Sequence, residues 1–152
     1  LMPRKKMVAD MIGLLGGRAA EEIVFDDITS GASNDIERVT QLAKTMVTRL
    51  GMSVELGPMT YGQKEEMIFL GREISEQRDY SESVAEKIDK EVRNLVNEAY
   101  NEARAILTKY RAELDAVAQK LLEVETLSKE EFEKIFPPPV PHKNATPAYA
   151  NK

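Results

Sequence analysis

The stretch "TSGASNDIERVTQLAKTMVTRLGMS", Thr29 to Ser53, decides how the chain folds. Apolar residues at Ile36, Val39, Leu42, Ala43, Met46, Val47 and Leu50 recur at three- and four-residue spacing, which predicts a helix with one buried face. Asn34, with Glu37 three residues on, predicts a capping box at its start, and Gly51 predicts a left-handed stop, so the helix is expected from Asn34 to Leu50. Asp35 lies four before Val39 and seven before Leu42 and so heads the apolar stripe. A carboxylate there is costly unless it caps the helix, pairs with a cation or binds a metal.

Upstream, Pro3 suits a first helical turn, and Val8, Met11, Ile12, Leu15, Ala19, Ile23 and Val24 carry helical spacing to Phe25. Gly16 and Gly17 interrupt it at about 1 kcal/mol each relative to alanine, which predicts a bulky neighbour packed over that turn. From Met52 to Tyr80 the periodicity vanishes around Gly57-Pro58, Gly62 and Gly71, predicting an ordered loop with little regular structure that either lines a cleft or braces the core. Ser81 or Ser83 then opens the longest stripe, Val84 through Leu121, which is either one very long helix or two packed back to back; its length favours a break near Thr108 to Arg111. Ser128 and Glu131 form a second capping box, for a short helix ending by Phe136. "PPPVPHKNATPAYANK" has no core-forming pattern. The expected fold is therefore mainly α, one domain over 1–136 with an irregular 52–80 loop and a flexible proline-rich tail over 137–152.

Composition narrows the chemistry. In 152 residues, 31% charged and 42% hydrophobic, a net charge of −5 gives no reason to expect nucleic acid as a partner. There is no cysteine, which excludes disulfides and thiolate metal sites, and no apolar run long enough to cross a bilayer. An amphipathic pattern already running at Met7 predicts a piece of something longer. The one histidine, His142, sits among prolines in the tail and reads as a solvated residue, so nucleophilic triads built on histidine are out for this chain alone. No phosphate-binding loop is present. The chemistry reduces to carboxylates on apolar faces. Asp35 is one, although an acid in a first turn also complements the helix dipole by about 0.3–1 kcal/mol. Glu21 is the other, four after Gly17 and four before Phe25, with Arg18 or the free end of another helix as the ordinary partner.

Several motifs then occur in order: "LLGGRAAEEIVF" (Leu14–Phe25), Thr29–Ser53, "LGPMTYG" (Leu56–Gly62), "FLGRE" (Phe69–Glu73), "YSESVAEKIDKEVRNLVNEAYNEA" (Tyr80–Ala103) and "ETLSKEEFEKI" (Glu125–Ile135). From about Pro3 to Phe136 the run resembles the C-terminal part of the peptidase domain of the FtsH family, membrane-anchored ATP-dependent zinc metalloproteases. The resemblance implies a helical peptidase domain behind a AAA ATPase module, in a homo-hexamer that degrades unfolded or unassembled proteins. It implies zinc held by two histidines of an H-E-x-x-H helix whose glutamate is the general base. The third ligand falls on Asp35, leaving a fourth position for water. Glu21 falls on a family glutamate expected to orient a zinc-binding histidine.

The departures carry expectations too. The sequence has no H-E-x-x-H, and neither the ATPase module with its ATP and magnesium nor the membrane anchor is present. This chain alone is therefore expected to be inactive, to retain zinc poorly, to make no membrane contact, and to associate through exposed apolar surface near the glycine pair. The whole protein is expected at the bacterial plasma membrane with its peptidase domain cytoplasmic, the present portion being soluble. A competing reading is a helical oligomerisation or interaction module whose acids only cap and solvate. A generic coiled-coil adaptor fits less well, because the 52–80 loop interrupts the repeat.

Overall fold

Four-residue steps along the first segment place Met7, Met11, Leu15 and Ala19 on one line, and that line is the buried face of helix α1, Arg4–Phe25. The computed structural model describes residues 1–62 and 79–138. Pro3, extended at φ −73° and ψ 154°, leads into α1, and Asp26 ends it in the left-handed region (φ 52°), donating its N–H to the Glu22 carbonyl at 3.0 Å. Val24 and Phe25, the last residues of the expected stripe, are exposed. No atom of a neighbour lies within 4 Å of a Cβ built on Gly16 or Gly17, so the bulky neighbour expected over that turn is not found among the described residues.

Helix α2 spans Ser33–Thr48 and follows a single 3-10 turn, Ser30–Ala32. The capping box expected at Asn34 and Glu37 does not form. Thr29 caps one turn earlier, its hydroxyl accepting the Gly31 N–H at 3.2 Å, so the chain is already helical when it reaches Asn34. At the other end Gly51 takes φ 58°, as expected, and lets the Met52 N–H reach back to the Met46 carbonyl at 3.0 Å. Helix α3, Glu82–Lys109, starts over Ser81, whose carbonyl accepts the Val84 and Ala85 N–H groups, and buries Ala85, Ile88, Leu95, Ala99 and Ala103. Each of these three helices packs on the other two, around a core centred on Met11, Val39, Met46 and Val47. Alanines at 19, 43, 99 and 103, all at or below 2% exposure, keep the backbones close.

The described part of the irregular loop is tied down by polar contacts. Ser53, buried, donates its hydroxyl to Glu91 of α3 (2.6 Å) and accepts the Leu56 N–H (3.1 Å), while Tyr61 donates to the Leu56 carbonyl (2.8 Å). Gly62 gives its N–H to Asp79 (2.7 Å), its carbonyl accepts from Arg49 (2.5 Å), and the Tyr61 and Tyr80 rings meet edge to face at 6.1 Å. The "FLGRE" motif, Gly71 and the rest of 63–78 lie outside the described residues, as do His142 and the other tail residues from 139 onward.

The chain divides into two units, Leu1–Lys109 and Tyr110–Lys152. The expected break in the long stripe occurs at Tyr110 (φ −107°, ψ 33°), between α3 and helix α4, Arg111–Val124. Helix α5, Lys129–Ile135, carries the expected capping box: Ser128 accepts the Glu131 N–H at 3.2 Å and Glu131 accepts the Ser128 N–H at 2.9 Å. Tyr110 and Phe136 close this unit edge to face at 5.0 Å. The fold is mainly α, with no strand among the described residues. No described helix is long and apolar enough to cross a membrane.

Candidate metal centre

The end of α1 and the start of α2 bring both sequence-selected acids into one connected region. Asp35 occupies the first turn of α2 with its side chain 45% exposed, and Arg38 one turn on approaches it at 3.6 Å. An exposed pair of this kind is worth about 0–1 kcal/mol, so little holds the carboxylate back from another cation. Asp35 stands at the open end of the apolar stripe: Val39 is buried, whereas Ile36 is exposed. The energetic puzzle of an acid on a buried face is thus relieved by solvent.

Asp35 lines an open groove of ≈ 750 Å³ between α1 and α2, with Gly13 and Leu14 on one wall and Leu42 and Thr45 on the other. Gly13 leaves that wall open, no neighbour lying within 4 Å of a Cβ built there. A second carboxylate, Asp10, reaches the same groove and is paired with Lys6 at 2.5 Å. Sequence spacing does not single out Asp10, because it lies on the flank of α1 and becomes a neighbour of Asp35 only through helix packing.

Glu21 holds the loop that leads to Asp35. Its carboxylate accepts the Thr29 N–H at 3.1 Å and the Thr29 hydroxyl at 3.0 Å, and that hydroxyl in turn accepts the Gly31 N–H. Of the two ordinary partners considered for Glu21, the free end of a helical element is therefore the one found. Glu22, next in sequence, points to α3: Tyr100 donates its hydroxyl to Glu22 Oε2, and Arg104 lies 3.4 Å from Glu22 Oε1. Burial raises the Tyr100 phenol above its ordinary value of 10.0, and the Glu22 carboxylate adds to the rise.

A half-exposed carboxylate on an open groove suits one oxygen ligand of a zinc site. The described residues supply no more than that, since no group of three or more His, Asp or Glu among them comes together. Glu21 and Asp35 are linked through the Thr29–Gly31 loop backbone.

Comparison with known proteins agrees with the motifs. The family described as Peptidase family M41 matches residues 1–135. The chain is 51% identical over 136 residues to an ATP-dependent zinc metalloprotease FtsH of Thermotoga maritima, covering 90% of this chain and 22% of that protein. It is 56% identical over 124 residues to the protein of the same name from Chloroflexus aggregans, covering 80% of this chain and 19% of that one. The chain thus spans only about a fifth of the length of these curated relatives.

Proposed function

Because this chain belongs to peptidase family M41, we propose that it forms part of an ATP-dependent zinc metalloendopeptidase and that Asp35 is the aspartate ligand of its metal. The family match over 1–135 carries this reading, and the accessible position of Asp35 beside the α1–α2 groove supports it. Bound zinc would lower the pKa of its water to about 7 and polarise a peptide carbonyl. The residues of this chain do the holding. Asp35 would hold the metal in place of its weak contact with Arg38, and α2 keeps the carboxylate at the groove wall. Glu21 keeps the loop closed through Thr29 and retains lone pairs with which to orient a ligand histidine, since a carboxylate offers about four acceptor sites.

The remainder of the machine is proposed by the same kinship: a AAA module using ATP and magnesium, a homo-hexameric ring, a membrane anchor with the peptidase on the cytoplasmic side, and unfolded or unassembled proteins as substrates. The 152 residues by themselves, with one histidine in all, supply one ligand of three and are proposed to be inactive and to hold zinc poorly. A second reading, a helical interaction module without catalysis, draws on the exposed Leu122, Val124 and Phe132 of the second unit.

The test is a chimera in which residues 1–135 replace the matching stretch of the Thermotoga maritima relative. The expected result is about one zinc per chain and ATP-dependent degradation of an unfolded protein. Asp35→Asn should weaken zinc at least about 100-fold, since loss of an outer partner alone costs 10–100-fold. A chimera that binds zinc equally well with and without that substitution would make Asp35 a helix-dipole residue and sink the assignment. One that assembles but never cleaves would favour the interaction module.

A further inference from the structure

We propose that Tyr100 and Arg104, acting through Glu22, are positioning residues for the loop that presents Asp35, so that α3 sets the placement of a ligand on α2. The proposal rests on the reading of Asp35 given above. Adjacent glutamates at the end of α1 are divided between two tasks: Glu22 is gripped from α3 by Tyr100 and Arg104, and Glu21 grips Thr29 of the loop. Between them lies a short covalent path. The Glu22 carbonyl takes the N–H of Asp26, whose left-handed turn (φ 52°) sends the chain back toward Glu21, and Thr29 then starts the 3-10 turn that runs into α2 and Asp35. The direction of the last turn of α1 therefore fixes where the loop closes, and that turn has its polar grip on Glu22.

The grip is suited to a fixed geometry. The Tyr100 hydroxyl is bonded to a carboxylate and stays protonated well above neutrality, so its donor role is constant over the working pH range. Arg104 reaches the other oxygen of the same carboxylate, so Glu22 is held at both atoms. A mere staple between α1 and α3 would not need this end of the helix, because Met11, Leu15 and Ala19 already bury the rest of its length.

The experiment has two arms. In the present chain, amide hydrogen exchange is followed for Asp26, Thr29 and Gly31 of the loop and for Ala43, Met46 and Val47 of the core. Tyr100→Phe and Glu22→Gln should each speed exchange at the loop amides by about tenfold relative to the core, as expected for loss of a hydrogen bond to a charged group. Arg104→Ala, which frees the other oxygen of Glu22, should speed exchange at the same loop amides, and Arg104→Lys, which keeps the charge, should restore most of the protection. In the chimera, Tyr100→Phe should lower zinc affinity about 10–100-fold with the melting temperature little changed. Unaltered loop exchange, or loop and core rising by the same factor, would overturn the proposal. If Asp35→Asn releases zinc while Tyr100→Phe changes neither readout, the positioning role alone fails. If Asp35→Asn leaves zinc in place, the ligand assignment fails and takes this proposal with it, whatever the exchange arm shows.

Discussion

In Leu1–Lys109 the side chains of Met11, Ala43, Met46 and Val47 are wholly withdrawn from water, whereas in Tyr110–Lys152 neither α4 nor α5 buries a single residue. The first unit is held by removal of apolar surface, worth about 25 cal/mol per Å². The second relies on local devices: the Ser128–Glu131 box, the left-handed Glu125 (φ 60°) with its N–H on the Leu121 carbonyl at 2.8 Å, and the Tyr110–Phe136 ring contact. Devices of that size each contribute about 1 kcal/mol. Asp35 and its supporting groups all lie in the first unit, where close packing converts a small change of side chain into a change of geometry. Substitutions in the two units should therefore differ in size and in reach.

Met46→Ala should have the largest effect. A fully buried methionine cut back to alanine costs about 2–5 kcal/mol, depending on how far the cavity collapses, and a urea unfolding curve should show the loss across all of α1, α2 and α3. A cost below about 1 kcal/mol would mean that this core is loosely packed and that the contrast between the units is false. Gly51→Ala comes next. Its φ of 58° disfavours any side chain, and a Cβ there would lie 2.9 Å from Pro58 Cα, a backbone atom that cannot swing aside. About 1–3 kcal/mol is expected, read in the same unfolding curve.

How far these features are legible in the sequence follows the range of the forces involved. The helices, the left-handed Gly51 and the Ser128–Glu131 box depend on neighbours within about one turn, and periodicity and cap chemistry report those directly, whereas the apolar stripe runs unbroken through Tyr110 and only its length suggests an interruption there. The start of α2 departs from its local cap pattern because Thr29, held by Glu21 eight residues away, captures the cap before Asn34 can. The Tyr100–Glu22 contact joins residues 78 apart, and no local pattern marks either as the other's partner. Asp35 stands out in the sequence as an acid on an apolar stripe, yet its exposure, its Arg38 neighbour and its groove shared with Asp10 follow from how α1 and α2 pack.

Ser128→Ala should act only on the second unit, costing about 1 kcal/mol and appearing as fraying of α5, with amides of Ala43 to Val47 unchanged. The same box predicts a pH dependence. Hydrogen bonds from the Ser128 N–H and, next, its hydroxyl hold the Glu131 carboxyl below its ordinary 4.5. A depressed native value favours the folded form above the ordinary value, and that advantage disappears as pH falls through the native one. Chemical shifts of α5 should therefore move toward coil as the solution is acidified below about 4.5, and less so in Ser128→Ala. Fraying of α2 over the same interval would show that the box is not confined in its reach.

The smallest effect should be at Leu122, 81% exposed on α4. Leu122→Ser removes a large apolar side chain that the described residues do not cover, so the cost should stay within about 0.5 kcal/mol. Serine has a slightly weaker helix propensity than leucine, and that alone accounts for most of such a change. The measurement is sensitive because it has a clear contrary outcome. If the substitution costs more than about 1.5 kcal/mol, or if light scattering shows a larger species that Leu122→Ser disperses, then Leu122 is covered in solution by something outside this fold. The second unit would then be stabilised by burial like the first, with the burying surface supplied from elsewhere, and its bare α4 and α5 would be half of an interface.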